Sequence, residues 1–478
     1  MESIKKSPFN DAPKDDFISQ LSDDILASIL SRTPTKFAIT TSVLSKRWKK
    51  VYRYVSNLTL CCEDLSHVVP HIPHFETTIS ESLQRHLKFY HGTKINFISL
   101  SCCVTTTQFD HLVHSLGKLG VEELHLWLSC CNVANDVSFS CHHISKIPST
   151  NFFVLGMCTL QPNYSKGQFS NSALQTLELR GVKILPGSLE SVLSACLSLR
   201  TLFIGKCEAP FKLCFGGPTS GDLKLENLIV ENCCGIEEIE IYAKDLITLE
   251  FQDNRMVRFV FGHAPRLQSV YLSIESEDIL AYVFGGFTKN LPSLESLTLN
   301  SKCSFYEESR RLMRIGGIEK LKNLKRLELN LVCTPNIDLL ALHLFLQNCP
   351  LLQELHLVSK SPPINGLIFK ACLTRSGDGG AKGAGFLHCH PNLKKASFSG
   401  FEGTENEMNF SLYILRSAVG LEEMVINRCG KHYMGYGRWK NVSKKPWSEE
   451  THQMIQNQLL AHNNVGYGSL QVHIHNAS

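Results

Sequence analysis

The segments LKRLELN at 324–330 and LQELHLV at 352–358 share one pattern, in which apolar residues follow the first leucine at the third and fifth positions after it. In an extended chain, side chains alternate between two faces, so the last two leucines of each segment lie on the same face. Further strong copies of the pattern begin at Leu174, Leu199, Leu225, Leu294 and Leu421. We therefore predict an array of short β-strands, one from each repeat.

The spacing of the copies indicates what else each repeat contains. Copies that begin at Leu174, Leu199 and Leu225 lie 25 and 26 residues apart, and the later ones lie 30 and 28 residues apart. Repeats of this form and length are typical of leucine-rich solenoids, in which each strand is followed by a returning segment. The segments 187–196 and 336–349 have helical spacing and are predicted to form the convex side. The predicted fold class is therefore α/β, with a horseshoe-shaped solenoid.

A tighter section is predicted in the middle of the array. Between Leu225 and Leu267, weaker copies of the pattern follow one another about every ten residues. Ten residues leave no room for a strand and a helix, so we expect two strands per coil there, one on each face. Because each coil needs neighbours to cover its apolar faces, both ends of the array should be capped.

The segment 21–60 has a different, helical rhythm. A polar cluster at 22–24 can cap a first helix, Pro34 suits the start of a second, and Ser42 or Ser45 can begin a third. The apolar face predicted for the first helix contains Ile25, Leu26, Ile29 and Leu30. The stripe predicted for the third helix contains Leu44, Trp48, Val51 and Tyr52. Such a small unit buries too little surface to be stable alone and needs a partner surface.

The stretch DFISQLSDDILASILSRTPTKFAITTSVLSKRWKKVYRYV at 16–55, with TSVLSKRW at 41–48, resembles the plant-type F-box family. It departs from that family in having Leu21-Ser22 for the usual Leu-Pro pair and Val51-Tyr52 for the usual Leu-Trp pair. The resemblance implies docking onto a Skp-type adaptor, and through it onto the cullin and RING subunits of an SCF ubiquitin ligase. The residues expected to bind the adaptor are Leu21, Ile25, Leu26, Ile29, Leu30, Val43, Leu44 and Trp48.

This segment allows two other interpretations. Trp48 is expected at the centre of the docking surface, but a tryptophan on this stripe could instead fill only the three-helix core. The basic run around Trp48, at 45–50, has the mixture of basic and aromatic side chains that contacts nucleic acid. A net charge of only +4 over 478 residues argues against a nucleic-acid binder.

The expected division of the chain is a polar leader at 1–15, an F-box at 16–60, a leucine-rich solenoid at 61–430 and a closing segment at 431–478. The stretch 409–439 resembles the tail of plant FBD-type or related F-box/leucine-rich-repeat proteins. After it, Trp447-Ser448-Glu449-Glu450 predicts the start of a helix that continues through Leu460, and Leu470 to Ile474 predicts a final strand.

Nineteen cysteines raise the possibility of metal binding or disulfides. Their spacing does not give the repeated ligand pairs of structural zinc sites, and the neighbouring ligands at 387–391 would point to opposite sides of an extended chain. Cys207, Cys233 and Cys429 occupy the slot that leucine-rich repeats fill with Asn or Cys, so they are predicted to be structural. The polar N-terminus lacks the apolar core of a secretory signal, so we expect reduced thiols in the cytoplasm or nucleus.

The sequence carries no catalytic signature, and the glycine run at 377–385 lacks the Gly-Lys-Ser/Thr order of a phosphate-binding loop. We expect a non-catalytic adaptor without metal, cofactor, nucleic-acid or membrane partners. Its unknown protein substrate is expected on the concave face, at exposed strand positions such as Gln175, Thr176, Glu178, Lys325, Arg326 and Glu328. Two alternatives stay open, a receptor for a small molecule and a scaffold that binds only the Skp-type adaptor.

Overall fold

The computed structural model describes residues 17–18, 20–61, 83, 87–88, 90–92, 95–101, 106–128, 137–163, 170–217, 223–274, 279–304, 320–332, 339–360, 389–463 and 470–476. The chain forms two compact units. The first comprises Met1–Thr159 and Phe169–Leu174, and the second comprises Leu160–Gln168 and Gln175–Ser478. None of the described helices has the length and apolar character needed to cross a membrane.

The first unit begins with the three predicted helices, α1 (Asp23–Ser31), α2 (Thr35–Thr41) and α3 (Lys46–Val51), followed by a 3-10 turn at Tyr52–Tyr54. Helix α1 follows Ser22 as expected, although the Ser22 side chain makes no capping hydrogen bond. At α3, the Ser45 hydroxyl accepts a hydrogen bond from the Trp48 backbone N–H at 3.3 Å. Ser45 is therefore the cap of the third helix.

The three helices enclose a small apolar core. Its buried members are Leu26, Ala27, Leu30, Ala38, Val51 and Val55, against which Leu21, Trp48 and Tyr52 pack. Val51 and Tyr52, the pair that departs from the family pattern, thus serve this core directly. Burial raises the pKa of Tyr52 to about 12.

The rest of the first unit is built on a parallel sheet, in the order β1 (Asn57–Cys61), β2 (Phe97–Ser101), β3 (Glu123–Trp127) and β5 (Phe152–Gly156). The apolar residues Leu58, Ile98, Leu124 and Phe153 are paired across these strands and are buried. The intervening segments include helix α4 (Thr106–Lys118), strand β4 (Ser138–Ser140) and a 3-10 helix at Cys141–Lys146. Strand β6 (Thr159–Gln161) follows at the boundary between the units.

In the described part of the second unit, eleven strands form one parallel sheet. In order along the sheet they are β7 (Thr176–Arg180), β9 (Thr201–Gly205), β11 (Asn227–Glu231), β13 (Thr248–Asp253), β15 (Ser269–Ile274), β16 (Ser296–Ser304), β17 (Arg326–Val332), β18 (Glu354–Lys360), β19 (Lys395–Ser399), β20 (Glu423–Asn427) and β23 (Gln471–His475). Every one of the seven strong sequence copies provides a strand of this sheet. The predicted repeat array is confirmed.

The pairing register explains why the repeat needs its leucines. Successive strands align Leu177, Leu202, Leu228, Leu249, Val270, Leu297, Leu327, Leu355, Ala396 and Met424. Each of these side chains is at most 1% exposed. Burying one such side chain stabilises the folded state by about 1.5–3 kcal/mol, so a continuous ladder holds the strands in register.

The middle of the second unit contains a second parallel sheet of β10 (Lys212–Phe215), β12 (Glu238–Tyr242) and β14 (Arg258–His263). These strands alternate along the chain with β11, β13 and β15 of the main sheet. The predicted section with two strands per coil is therefore confirmed. The short strand β8 (Lys183–Ile184) precedes it.

Helices form where the longer repeats leave room for them. They are α5 (Ser188–Ala195), α6 (Ile279–Gly285), α7 (His343–Leu346), α8 (Glu405–Ser417) and α9 (Glu449–Asn463), with 3-10 helices at Phe287–Asn290 and Leu339–Leu342. Helix α9 and strand β23 confirm the predicted elements of the closing segment. The Ser448 hydroxyl accepts a hydrogen bond from the Thr451 N–H at 3.2 Å, as expected for the cap of α9.

Two of the three cysteines at the predicted repeat positions are buried and hydrogen-bonded, as the repeat pattern predicts. The buried Cys207 thiol donates to the Gly205 carbonyl at 3.3 Å, and the Cys233 thiol donates to the Glu231 carbonyl at 3.4 Å. Cys429 is half-buried, and its backbone N–H donates to the Asn427 side chain. In the described ranges, no group of three or more candidate ligands is placed to hold a metal ion. The glycine run 377–385, and residues 387–388 of the His-Cys-His cluster, lie outside the described residues.

Candidate functional site

The first candidate surface lies on helix α1, whose apolar residues divide between two faces. Leu26 and Leu30 point into the helical core and are 0% and 3% exposed. Ile25 and Ile29 are 50% and 44% exposed on the other side. The sequence-based expectation that all four contact a partner therefore needs correction, because a side chain enclosed by its own core cannot also present a docking surface.

The turn between α2 and α3 adds two strongly exposed apolar side chains to this surface. Val43 is 84% exposed and Leu44 is 66% exposed, and the turn that carries them is closed by a hydrogen bond from the Leu44 N–H to the Thr41 carbonyl. Trp48 is half-buried and packs against the core. Trp48 therefore contributes to the core while part of its side chain stays exposed, and Leu44 is the more exposed of the two residues expected at the centre of the docking surface.

Polar contacts fix α3 against the start of α1. The Arg47 Nε donates to the Asp23 carboxylate at 2.8 Å, and the Arg47 guanidinium also donates to the Leu21 carbonyl. These contacts hold the chain at the entry to α1, where Ser22 replaces the usual proline. The half-buried Leu21 packs beneath them on the core.

Four further apolar side chains are exposed around the same helices, Phe17, Ile18, Phe37 and Ile39. Sequence reasoning did not include them among the adaptor-binding residues. The sequence did contain a sign of them for α2. A helix this short cannot bury apolar residues on all its sides, so some of its apolar side chains must be exposed. A cluster of large exposed apolar side chains on so small a helical unit marks an interaction site.

The second candidate surface is the polar side of the main sheet in the second unit. Gln175, Lys325 and Arg326 are exposed there as expected, and Thr176 and Glu178 are half-buried. Glu328 is only 2% exposed, so its predicted availability to a substrate is wrong. Glu328 lies on the face that alternation assigns to solvent, and other parts of the chain must therefore cover it.

That cover is a hairpin of two antiparallel strands, β21 (Gly430–Tyr433) and β22 (Trp439–Val442), which we call the aromatic hairpin (430–442). Tyr433 stacks on Tyr271 of β15 with ring centroids 3.8 Å apart. At the tip, Tyr436 stacks on Phe203 of β9 with centroids 6.1 Å apart. The hairpin thus spans several strands of the sheet and contacts them through aromatic rings.

Hydrogen bonds fix the tip of the aromatic hairpin to two carboxylates. The Tyr436 N–H donates to Glu250 at 3.0 Å, and the Tyr436 hydroxyl donates to Glu178 at 3.1 Å. Tyr436 has φ +53°, between Gly435 and Gly437 at φ +85° and +68°. A tyrosine in the left-handed region is strained, and these contacts compensate for that strain.

A cavity of about 460 Å³ remains between the aromatic hairpin and the sheet. Its size falls in the range that is usual for ligand sites. The charged residues in its wall balance one another, with Arg180 and Arg438 against Glu231 and Glu250. The uncharged polar residues in the wall include Gln252, Ser273, Asn300 and Asn330. Such a wall favours an uncharged polar group over an anion or a cation.

Burial under the hairpin perturbs the ionisable groups of this face. Desolvation raises the pKa of Glu328, partly opposed by the nearby Arg326 and Lys431. Desolvation, together with the same two cations, lowers the pKa of His356 to about 4, although Glu354 opposes this effect. His356 is therefore neutral near pH 7.

Comparison with known proteins gives two family matches. The family described as At1g61320/AtMIF1, LRR domain, matches residues 83–469, which is more than half of the chain. The chain belongs to this leucine-rich-repeat family. A model of the F-box domain matches residues 18–60, so the chain is an F-box/leucine-rich-repeat protein. The three helices and the long parallel sheet are the structural counterparts of these two matches.

Relatives of this F-box/leucine-rich-repeat protein occur in Arabidopsis thaliana. F-box protein At5g03100 is 31% identical over 195 residues, which is 40% of this chain and 57% of the relative. FBD-associated F-box protein At4g10400 is 23% identical over 436 residues, or 86% of this chain and 92% of the relative. A putative F-box/FBD/LRR-repeat protein, At3g49030, is 40% identical over 91 residues, 19% of each chain. The chain thus spans little more than half of At5g03100.

Proposed function

We propose that this F-box/leucine-rich-repeat protein is the substrate-recognition subunit of an SCF ubiquitin ligase. The F-box helices dock onto a Skp-type adaptor, which links the chain to the cullin and RING subunits, and the second unit recruits a protein substrate. The observation that carries the proposal is the exposed apolar cluster around Ile25, Ile29, Val43 and Leu44, next to a core that is already filled by other residues.

The cluster has the composition of a binding surface. Interface energy concentrates in a few large apolar side chains within a polar rim. Lys46, Lys49 and Asp24 are exposed nearby in sequence and provide such a rim. Because Leu26 and Leu30 already stabilise the fold, the exposed residues are left available for a partner.

The proposed role requires no catalytic group on this chain. An adaptor that holds a substrate near a ubiquitin-carrying enzyme raises the effective concentration of the two, which accelerates transfer without new chemistry. The cytoplasm or nucleus is part of the proposal, because Cys207 and Cys233 donate hydrogen bonds as thiols and these compartments keep thiols reduced.

The test is co-purification with a Skp-type adaptor. The Leu44→Ala variant should weaken binding by roughly thirtyfold, or about 2 kcal/mol, because truncation of a central apolar side chain removes its contact with the partner. The affinity is measured by titration of the purified full-length chain with the adaptor.

A matched control is Leu197→Ala, which truncates another exposed leucine, in the second unit. This variant should bind the adaptor like the wild type. The thermal unfolding of both variants should match that of the wild type, since neither leucine is in the core. Equal adaptor affinity for Leu44→Ala and the wild type would contradict the proposal, as would a double variant Ile29→Ala/Leu44→Ala that still binds fully.

A further inference from the structure

Two asparagines occupy neighbouring positions under the aromatic hairpin, but only one has partners. Asn300 of β16 and Asn330 of β17 are paired in the register of the sheet. The Asn300 amide donates to the Ser273 hydroxyl at 2.8 Å. Asn330 is 0% exposed, and neither its amide nitrogen nor its amide oxygen has a hydrogen-bond partner in the described part of the chain.

Two neighbours of Asn330 each have one buried polar atom without a partner. Among the described residues, the Oε1 of Glu328 and the Nδ1 of His356 also lack partners. Glu328 and His356 are paired across β17 and β18, and Asn330 follows two residues after Glu328 on the same face. Buried polar atoms are nearly always paired in native proteins, because each unpaired one is costly. The other polar atom of each neighbour is paired, Glu328 with Arg326 at 3.4 Å and His356 with Glu354 at 3.3 Å. The Asn330 amide and the two unpaired atoms beside it therefore form a buried polar patch that can still accept a ligand.

We propose that this polar floor, formed by Glu328, Asn330 and His356, binds the recruited protein through an uncharged peptide or carboxamide group, and that the aromatic hairpin is the cover that the partner displaces. This inference rests on the proposed function, in which the second unit recruits a protein. A carboxamide presents one donor and one acceptor side by side, which matches a peptide group or the side chain of Asn or Gln. Asn330 is the member of the floor that lines the cavity, and the balanced charges of the cavity wall agree with an uncharged ligand group.

The contacts of the hairpin suit a cover that can move. Its tip depends on Tyr436, which has a strained backbone and bonds to only two carboxylates, Glu178 and Glu250. Gly435 and Gly437 on either side allow the backbone to change conformation at low cost. Met434 at the tip is exposed. A partner that replaces the hairpin would supply the hydrogen bonds that the floor lacks.

A first experiment needs no ligand. Asn330→Leu replaces the unpaired amide by an apolar group of similar shape and should raise the Tm of the full-length protein by about 2–6 °C. The matched control Asn300→Leu should lower the Tm, because it leaves the Ser273 hydroxyl without its donor. An unchanged or lowered Tm for Asn330→Leu would show that the Asn330 amide is already satisfied in the free protein, and would overturn the inference.

A second experiment uses phage that display random linear twelve-residue peptides, selected on the immobilised full-length protein. Selected peptides should bind the Asn330→Leu variant at least tenfold more weakly, and the Leu197→Ala variant, which truncates an exposed leucine outside both candidate surfaces, like the wild type. The Tyr433→Ala/Tyr436→Ala variant, which loosens the cover, should bind them more tightly. Three results would overturn the inference: no selectable peptide, peptides that bind the Asn330→Leu variant as tightly as the wild type, or weaker binding when the cover is loosened.

These results are separable from the proposed adaptor role. Asn330→Leu lies in the second unit and should bind the Skp-type adaptor with wild-type affinity. If Asn330→Leu leaves peptide binding intact while Leu44→Ala abolishes adaptor binding, only the location of the recruitment site is wrong. If Leu44→Ala has no effect on adaptor binding, the proposed function itself is wrong.

Discussion

The Leu26→Ala variant is expected to lose adaptor binding because its F-box helices unfold, since Leu26 is buried in their core. Leu26 is 0% exposed and lies in the small core with Leu30 and Val51. Truncating a buried leucine costs about 2–5 kcal/mol through lost burial and the cavity left behind. In so small a helical unit this is a large part of the local stability.

Hydrogen exchange followed by mass spectrometry separates this effect from the loss of a contact. In Leu26→Ala, amides of α1 to α3 should exchange many times faster, while the strands of the second unit keep their protection. In Leu44→Ala, the same helices should stay protected although adaptor binding is weakened. Normal protection of α1 to α3 in Leu26→Ala would show that the core assignment is wrong.

The difference between buried Leu26 and exposed Ile25 shows what helical periodicity cannot predict. The spacing of Ile25, Leu26, Ile29 and Leu30 correctly predicts a helix with a wide apolar stripe. A stripe four residues wide covers more of the helix circumference than one small core can bury, so two of its residues become core and two remain exposed. Sequence spacing does not tell which edge faces inward, because that depends on how α2 and α3 pack.

The strands of the second unit were predictable because their alternating pattern is compatible with fewer arrangements than a helical stripe is. With a period of two, only one register buries both leucines of LELN at 327–330, and a shift by one residue would expose them. The ten-residue spacing after Leu225 was equally restrictive, since no helix fits into it. Local sequence therefore determines the main sheet and the sheet of β10, β12 and β14.

The aromatic hairpin was not predicted, because its contacts are not local. Tyr436 bonds to residues 186 and 258 positions away along the chain. Strand alternation correctly assigns Glu328 to the face of the sheet opposite the buried leucines. It cannot predict that a distant segment of the chain covers that face. The signal that could have been used is the segment HYMGYGRW at 432–439, where two glycines separate aromatic residues in a manner typical of a tight turn.

The strongest dependence of stability on pH is expected from His356. Its environment contains charged groups from several elements, namely Arg326 and Glu328 of β17, Glu354 of β18, Glu423 of β20 and Lys431 of the hairpin. Burial and the two cations lower its pKa to about 4 from the ordinary 6.5. Between these values the unfolded state binds a proton that the folded state does not.

Stability should therefore be complete above about pH 6.5 and should fall as the pH decreases toward 4. The His356 contribution over this window is about 3 kcal/mol, since one pKa unit corresponds to about 1.4 kcal/mol. In His356→Gln this part of the slope should disappear, as measured by urea unfolding at several pH values. Other acids titrate in the same window, so the difference between the two proteins is the relevant quantity.

The matched control is His432→Gln, which replaces an exposed histidine on the aromatic hairpin. It should retain the wild-type slope, because its exposed side chain is not part of the buried floor around His356. Parallel curves for wild type and His356→Gln would show that the hairpin does not keep His356 away from water. A flatter curve for His356→Gln alone would locate the acid sensitivity of the second unit beneath the hairpin, on the same floor that is proposed to bind the partner.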